Sequence, residues 1–384
     1  MTAGAAPELP PLEVAGRIGR LRRALDNAGE GGRAIDALLV TNPVNIRWLT
    51  GFSGSAGLLL VRAGGALLTT DGRYRSQSAE QLAAAGLGGE VEVAVGGVAA
   101  QREAMIGAAA GTEVLGLEAE HVTWSAERVC AELLPAVQLA PTSGVVERLR
   151  AVKDAGELAR MARAASIADE ALGEVLPLLA AAGRPGRAIT EARFATALDH
   201  AMREGGAEER AFETIVAAGE DSAKPHARPT DRPIGVGDPV VVDFGAVFDG
   251  YRSDMTRTFF VGGEPSGEMG RVFGVVAEAQ RAGVDSVRAG IRAGDVDEVC
   301  REVIAAAGWK DRFEHGTGHG VGLDIHEAPS VAPGSTAILE PGTVVTVEPG
   351  VYLPGVGGVR IEDTLVVTDD GCRPLTRFPK EVAL

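Results

Sequence analysis

The sequence predicts an α+β protein in two parts: a smaller α/β domain, then a larger domain in which one arrangement of elements occurs twice. The chain has 384 residues, which is long for a single domain. Strand and helix patterns alternate through the first part of the chain, as in α/β domains. Beyond it, two helices precede a group of strands, and the same order then repeats. We therefore expect domains at 1–148 and 149–384, the second with a pseudo-twofold duplication.

The first domain is predicted from apolar runs that alternate with amphipathic segments. It begins with an amphipathic helix at Arg17–Ala28, and a Gly64-Gly65 turn joins two of the strands into a hairpin. The segment TNPVN after the first strand is predicted to be a loop. The strands are expected at Ala37–Val40, Leu58–Arg62, Ala66–Thr70, Val91–Val95 and Val114–Glu118, and the later helices at Tyr74–Ala85, Ala99–Ala110 and Ser125–Leu134.

The second domain begins with a long helix. From Lys153 to Leu179 apolar residues recur at spacings of three and four, so one face is expected to be buried. Thr190 is a candidate N-cap for the next helix. Strands are then predicted over 212–262, helices at Gly267–Arg288 and Val296–Ala307, and strands again over 317–368.

Charge and composition narrow the classes of function. The net charge is −16, and residues 1–150 hold 13 Arg and Lys against 16 Asp and Glu, so most of the excess acid lies later in the chain. This disfavours binding to nucleic acid or to an anionic membrane. The three cysteines have no C-x-x-C spacing, which favours a reducing cytoplasm. Neither a signal peptide nor a membrane-spanning apolar run is recognisable.

The stretch HGTGHGVGLDIHE, residues 315–327, contains three of the six histidines in the chain among four glycines. We expect it to lie at the centre of an active site. On its own it is compatible with a three-histidine metal site, and equally with histidines that have separate roles. Which of the two applies depends on the acidic residues elsewhere in the second domain, since these could bind a metal in place of the histidines.

Two acids are expected to meet in a hairpin. Asp249-Gly250 is a dipeptide typical of a type I′ turn, so counting outward pairs residue 243 with 256. Asp254 is then the diagonal neighbour of Asp243, about 7 to 8 Å away along the backbone and close enough to share an ion. The turn explains Asp249, which we exclude from the site.

Two further acids, Glu348 in TVVTVEPG and Glu362 in VRIEDTLVV, lie in apolar, β-branched strands expected at Thr343–Glu348 and Val359–Val367. Each acid alone fits a surface position or a salt bridge. Carboxylates 4 Å apart repel by about 4 kcal/mol at an effective dielectric of 20, so four of them in one pocket require cations or protons. Cations are the better answer, because four carboxylates and one imidazole can bridge two divalent ions. Hard oxygen ligands favour Mn²⁺, while Co²⁺, Zn²⁺ and Fe²⁺ also fit.

The motifs VVDFGAVFDGYRSDMTRTF, HGTGHGVGLDIHE, VVTVEPGVY and VRIEDTLVVT, in this order, resemble the metallopeptidases with the pita-bread fold, in the branch of Xaa-Pro aminopeptidase (aminopeptidase P) and prolidase. NIRWLTGFSGSAG and TTDGRY are similar to the creatinase-type N-terminal domain of that branch. The resemblance implies a C-terminal pita-bread domain preceded by a smaller α/β domain. It also implies hydrolysis of the peptide bond before proline in small peptides, and a homodimer.

The same resemblance implies the roles of individual residues. Five residues would bind the metals: Asp243, Asp254, His319, Glu348 and Glu362. Glu348 would also handle the proton, while His226 and His326 would hold the scissile carbonyl oxygen. The supporting residues would be His315, for which a plain loop histidine is the alternative, and Arg360, for which a surface arginine is the alternative. Trp48, Arg73 and Tyr74 of the first domain would limit peptide length.

Three functional alternatives stay open on the sequence. The enzyme is an aminopeptidase on longer peptides or a dipeptidase on Xaa-Pro. A creatinase-like hydrolase has this fold without a metal, although all five ligands are present here. A non-catalytic peptide-binding module, as in certain histone chaperones, would have lost those ligands.

Overall fold

The computed structural model describes residues 9–182, 184 and 186–380. The chain forms two compact units, one made of Pro11–Arg150 and the other of the chain from Ala151 onward. Within the described residues, none of the helices has both the length and the apolar character needed to cross a bilayer.

The first unit is built on one mixed six-stranded sheet. Its strands are β1 (Ala37–Val40), β2 (Leu58–Arg62), β3 (Gly65–Thr70), β4 (Val91–Val95), β5 (Val114–Glu118) and β6 (Gln138–Thr142). They lie in the order β4-β3-β2-β1-β5-β6, and only the pairs that include β2 are antiparallel. The helices are α1 (Arg17–Leu25), α2 (Pro43–Thr50), α3 (Arg75–Ala84), α4 (Val98–Ala108), α5 (Trp124–Leu133) and α6 (Val145–Arg150). The five predicted strands are confirmed, whereas β6 and α6 were not predicted.

The loop predicted at TNPVN is wrong, because helix α2 begins inside it. The Asn42 side chain accepts a hydrogen bond from the Val44 N–H at 2.9 Å, and Pro43 is the first helical residue. An asparagine N-cap followed by proline is a favourable helix start. The helix carries Trp48 into the interior of the unit, where it is 1% exposed and lies under the Arg17 guanidinium. Arg73 and Tyr74, by contrast, lie near the surface.

The second unit contains two similar halves, as the repeated element order predicted. Its helices are α7 (Ala155–Ala180), α8 (Glu191–Glu204), α9 (Gly267–Ser286) and α10 (Ala293–Ala306). Its strands are β7 (Glu209–Arg210), β8 (Ile215–Ala218), β9 (Pro239–Phe244), β10 (Ala246–Phe248), β11 (Tyr251–Arg252), β12 (Met255–Phe260), β13 (Gly318–Gly320), β14 (Glu327–Val331), β15 (Val344–Val347), β16 (Gly350–Leu353), β17 (Gly357–Arg360), β18 (Asp363–Val367) and β19 (Cys372–Pro374).

Each half buries its helix pair against its own strands. In the first half, α7 and α8 share a core with the sheet β12-β9-β8. In the second half, α9 and α10 share a core with β15 to β18. Thr190 caps α8 as predicted, accepting from the Arg193 N–H at 3.3 Å.

The register of the acidic hairpin is also confirmed. Phe248 pairs with Tyr251 and Asp243 with Thr256. Asp249 and Gly250 have φ values of 46° and 75°, as a type I′ turn requires. The Asp249 carboxylate pairs with Arg160 at 2.5 Å, so its role is structural.

The single strand predicted at Val359–Val367 is wrong, because it is broken at Ile361 and Glu362. The part before the break, β17, pairs with β16, and the part after it, β18, pairs with β15. At the crossing the Glu362 N–H donates to the Thr256 carbonyl oxygen at 3.1 Å. Glu362 therefore lies where the chain passes from one sheet to the other and faces the acidic hairpin.

Candidate metal centre

A cavity of about 500 Å³ in the second unit brings together every residue that was predicted in the second domain as a ligand, a carbonyl-binding residue or a supporting residue. Four carboxylates and one imidazole line it as the predicted ligands. The two predicted carbonyl-binding histidines and the two supporting residues line it as well. The nine are His226, Asp243, Asp254, His315, His319, His326, Glu348, Arg360 and Glu362.

Close backbone approach places these side chains in one cavity. Asp243 lies in β9 and Asp254 directly precedes β12. Between them the chain is tight at Gly245, where a Cβ would lie 1.9 Å from the Ser253 carbonyl oxygen. A Cβ at Gly318, next to His319, would lie 2.0 Å from the Thr346 carbonyl oxygen. Only glycine permits such contacts, which explains part of the glycine pattern around the histidines.

The donor atoms of the predicted ligands converge. One ligand atom from each of Asp254, His319 and Glu362 lies within 4.8 Å of the others. His319 Nε2 is 3.5 Å from Asp254 Oδ2 and 3.4 Å from Glu348 Oε1. The other ring nitrogen, Nδ1, is 2.9 Å from the Gly320 carbonyl oxygen. A proton on Nδ1 satisfies that carbonyl and leaves the Nε2 lone pair directed at the carboxylates, as metal-binding histidines require.

Two oxygens of the cluster lack any hydrogen-bond partner among the described residues. They are Asp243 Oδ1 and Glu362 Oε1, both buried. A buried carboxylate oxygen without a donor is costly. A cation would satisfy both atoms, so the donor set fits the divalent metals that the residue types predict.

Electrostatics support the same conclusion. Burial, reinforced by the neighbouring carboxylates, raises the pKa of Asp254 and of Glu362 well above their ordinary values. Burial raises the pKa of Glu348 to about 8, although Arg360 opposes the shift. Burial also lowers the pKa of His319 to about 4, so this ring is neutral at pH 7, as the predicted role of a metal ligand requires. The protein supplies too little positive charge for these acids to be ionised together without a cation.

Arg360 is buried and contacts the predicted ligand Asp243 directly, so the surface-arginine alternative is wrong. Its Nη2 donates to Asp243 Oδ2 at 2.6 Å, and its Nε donates to Thr256 Oγ1 at 3.2 Å. The Thr256 hydroxyl in turn donates to Glu362 Oε2 at 2.7 Å. Arg360 thus orients one carboxylate directly and another through Thr256. Thr256 was not predicted as part of the site.

His315 lies behind the cluster and is linked to it through Tyr352. The Tyr352 hydroxyl accepts from Arg360 Nη1 at 2.7 Å and is 2.8 Å from His315 Nε2. Because His315 Nδ1 faces the Gly316 carbonyl oxygen at 2.7 Å, Nε2 accepts the tyrosine proton. Burial, with the charge of Arg360, lowers the pKa of His315 to about 4. Sequence reasoning missed Tyr352, whose signal was a polar group in the apolar strand after Glu348.

His226 and His326 lie toward the mouth of the cavity. His226 is exposed, and the His326 ring centroid is 4.4 Å from that of His319 in an edge-to-face arrangement. Burial, with the neighbouring His226, lowers the pKa of His326. Both histidines therefore border the space in which a substrate would meet the carboxylates.

Comparisons with known proteins place this geometry in a family. Residues 159–369 match the profile of metallopeptidase family M24, and residues 17–152 match the creatinase/prolidase N-terminal domain. The chain belongs to metallopeptidase family M24. The M24 match contains all nine of the cavity residues named above, and membership implies divalent metal ions at such a centre.

Individual M24 relatives match almost the whole chain. "Uncharacterized peptidase YqhT" of Bacillus subtilis is 40% identical, covering 92% of this chain and 97% of the relative. A Bacillus anthracis structure described as Xaa-Pro dipeptidase has a TM-score of 0.88 and 38% identity, covering 97% of this chain and all of the other. An X-Pro aminopeptidase from Thermotoga maritima has a TM-score of 0.82 and 32% identity, covering 95% and 100%.

Proposed function

We propose that this M24 enzyme hydrolyses the peptide bond that precedes proline, and that it acts as an aminopeptidase on peptides longer than two residues. The observation that carries the proposal is the convergence of four carboxylates, three of them buried, and one imidazole on a cavity of about 500 Å³, where two buried oxygens have no hydrogen-bond partner among the described residues. Solved relatives described as Xaa-Pro dipeptidase and X-Pro aminopeptidase support the choice of bond.

Asp243, Asp254, His319, Glu348 and Glu362 would hold two divalent cations, which we propose to be Mn²⁺ because the donors are mostly hard oxygens. When bound, such ions polarise a carbonyl and generate a water-derived nucleophile at neutral pH. Arg360 and Thr256 keep two of the carboxylates in place. Glu348 lines the cavity beside His319, where its carboxylate can accept a proton from the attacking water and pass it to the leaving nitrogen.

The histidines at the mouth would hold the substrate. A neutral imidazole donates one N–H, and two donors aimed at the scissile carbonyl oxygen would stabilise the charge that develops there. Both His226 and His326 line the cavity, which supports this proposed role. Proline itself offers no N–H, so its ring must be recognised by contact with apolar groups. The cavity provides such a surface, made of Phe212, Ile215, Ala227, Pro229, Ile325 and Ala332.

The preference for longer peptides rests on the basic residues of the cavity. An Xaa-Pro dipeptide carries a carboxylate on the proline, which needs a positively charged partner near the scissile bond. Two arginines line the cavity, Arg228 and Arg360. Arg360 is engaged by Asp243, and Arg228 is largely exposed and pairs with Glu213 at 3.3 Å. A peptide bond after proline removes the need for such a partner.

Digestion of matched Xaa-Pro and Xaa-Pro-Yaa peptides with added Mn²⁺ tests both the cleavage before proline and the preference for longer peptides. We expect the kcat/KM of the tripeptide to be higher by about fivefold, which corresponds to one weak charged contact of about 1 kcal/mol. A higher kcat/KM for the dipeptide overturns the aminopeptidase assignment. Full activity in excess chelator, with no metal found in the protein, would favour the creatinase-like reaction instead.

For the solution state we propose a cytoplasmic homodimer, on the strength of the family resemblance. The 79% exposed side chain of Trp124 on α5 is the kind of surface group that an interface covers. Sedimentation at micromolar concentration tests this, and a monomer contradicts it.

A further inference from the structure

Asp297 and Arg301 form an ion pair on α10, outside the cluster of predicted ligands. The Arg301 Nε is 2.7 Å from Asp297 Oδ2, and its Nη2 is 3.1 Å from Oδ1, a bidentate arrangement. The Asp297 side chain is 2% exposed and that of Arg301 is 29% exposed. The Asp297 carboxylate is therefore buried, and the solvent-exposed part of the pair belongs to Arg301.

Both members of the pair also hold the backbone that leads into the histidine stretch. Arg301 donates to the Phe313 carbonyl oxygen at 3.1 Å and to the His315 carbonyl oxygen. Asp297 Oδ1 accepts from the Thr317 N–H at 3.0 Å. One ion pair thus binds three backbone groups within five consecutive residues, including one histidine of the centre.

Two routes connect this segment to predicted metal ligands. The Thr317 carbonyl oxygen accepts from the Glu348 N–H at 2.8 Å, and Thr317 lies two residues before His319. The ring of His315 accepts from Tyr352, which contacts Arg360. A displacement of residues 313–317 would therefore move ligand groups through hydrogen bonds as well as through the chain.

We propose that Asp297 and Arg301 are positioning residues for the metal centre, because they fix the backbone from which His319, Glu348 and the His315 side chain are placed. The proposal rests on the metal-binding role of the centre given above. Because the Asp297 side chain is 2% exposed, loss of Arg301 should also lower stability, so metal affinity is compared only between variants that are folded without metal. The positioning role predicts that the folded variant has a lower metal affinity.

Mn²⁺ titration of the full-length, metal-free protein by calorimetry tests this in Arg301→Met, which keeps the length of the side chain and removes its donors. We expect Mn²⁺ affinity to fall about tenfold, the lower end for residues that orient metal ligands. On an Xaa-Pro-Yaa peptide, kcat should fall with little change in KM. Arg301→Lys should recover part of the affinity, because an ammonium can pair with Asp297 but cannot hold both carbonyl groups.

Arg292→Met is the matched control. Arg292 precedes the same helix and pairs with Asp295 in its first turn at 2.5 Å, and both side chains are more exposed. In the described part of the chain, the hydrogen bonds of these two side chains do not involve residues 313–317. This variant should bind Mn²⁺ as the wild type does. If Arg301→Met and the control have the same Mn²⁺ affinity and the same kcat, the positioning role is wrong.

Two further outcomes are decisive. If Arg301→Met does not fold, Asp297→Asn replaces it, because the amide oxygen still accepts from Thr317 while the charge that holds Arg301 is gone. Wild-type affinity in that variant overturns the proposal. If the wild type binds Mn²⁺ but cleaves no Xaa-Pro peptide, the proposed reaction fails, and the titration still decides the role of the pair.

Discussion

Glu362 and Asp363 are neighbours in the chain and are both buried, at 1% and 5% exposure, yet their surroundings are opposite. Asp363 accepts from Arg257 at 2.9 Å and from Gln280 at 3.0 Å, and Lys380 lies 2.5 Å away. Glu362 has one donor, Thr256, and its Oε1 has none among the described residues.

The difference shows that burial alone does not mark a functional acid. Protein groups complete the charge and the hydrogen bonds of Asp363, so its role is structural. The nearest charges to Glu362 are other carboxylates, which raise its pKa together with burial. We propose that a divalent cation is the partner of Glu362, because its Oε1 lacks a hydrogen-bond donor among the described residues and ligand atoms of Asp254 and His319 lie within 4.8 Å.

The largest effect should come from Glu362→Gln. Loss of a direct ligand should lower kcat/KM by at least about 100-fold, since removal of groups that merely orient ligands already costs 10- to 100-fold. In chelator, the same variant should unfold no more easily than the wild type, because it removes a buried charge that lacks a partner. Steady-state kinetics and thermal unfolding in chelator measure the two effects. A clearly lower melting temperature in chelator would place Glu362 with the structural acids.

Asp363→Asn, in contrast, should lower the stability of the metal-free protein. It leaves the Arg257 guanidinium, whose side chain is 2% exposed, without its carboxylate, and breaking a buried pair in this way costs about 3 kcal/mol or more. Denaturant unfolding in chelator measures the change. Equal stability of Asp363→Asn and the wild type would mean that Arg257 does not depend on this carboxylate.

A smaller effect is expected on Mn²⁺ affinity, and it should differ between two threonines of the same strand. Thr256→Val removes the donor to Glu362 and should weaken Mn²⁺ binding about tenfold. Thr258 is equally buried, but its hydroxyl contacts only backbone atoms of Arg360. Thr258→Val is therefore the matched control and should keep wild-type Mn²⁺ affinity. Similar losses in both variants would show that strand packing, rather than the contact with Glu362, is responsible.

The smallest effect concerns pH in the metal-free protein. Burial raises the pKa of Glu348 from 4.5 to about 8, so between these values Glu348 holds more protons in the folded chain than in the unfolded chain. Burial lowers the pKa of His315 and of His319 from 6.5 to about 4, which has the opposite effect on stability below about pH 6.5. Stability in chelator should therefore fall from pH 7 to 8, where Glu348 dominates, by about 3 °C in melting temperature. Added Mn²⁺ should abolish the fall, because a cation favours the ionised carboxylates. A melting temperature in chelator that is constant or rises from pH 7 to 8 contradicts this interpretation.

Much of this site was predictable because its signals are local. The Asp249-Gly250 turn predicted the register that brings Asp243 and Asp254 together, and the apolar, β-branched surroundings of Glu348 predicted a buried strand, which ends at Val347. Glu362 was predicted as a ligand although its strand was read as continuous. The break beside it depends on pairing with two different sheets, which no local pattern encodes.

The parts that sequence reasoning missed depend on contacts between distant segments or on an ambiguous local signal. Tyr352 and Thr256 have ordinary strand positions, and their roles appear only when Arg360 lies between them. Arg301 is an unremarkable helical arginine until its carbonyl partners are known. Asn42-Pro43 is ambiguous by itself, because the same dipeptide begins turns and helices.

Calorimetric titration of metal-free protein with Mn²⁺ tests the central claim most directly, namely that the acids around Glu362 are completed by cations. The wild type should bind two ions per chain, and Glu362→Gln should lose at least one of them. Asp363→Asn, measured where it remains folded, should keep both. Absence of saturable binding in the wild type, or two ions bound by Glu362→Gln with unchanged affinity, would contradict the account.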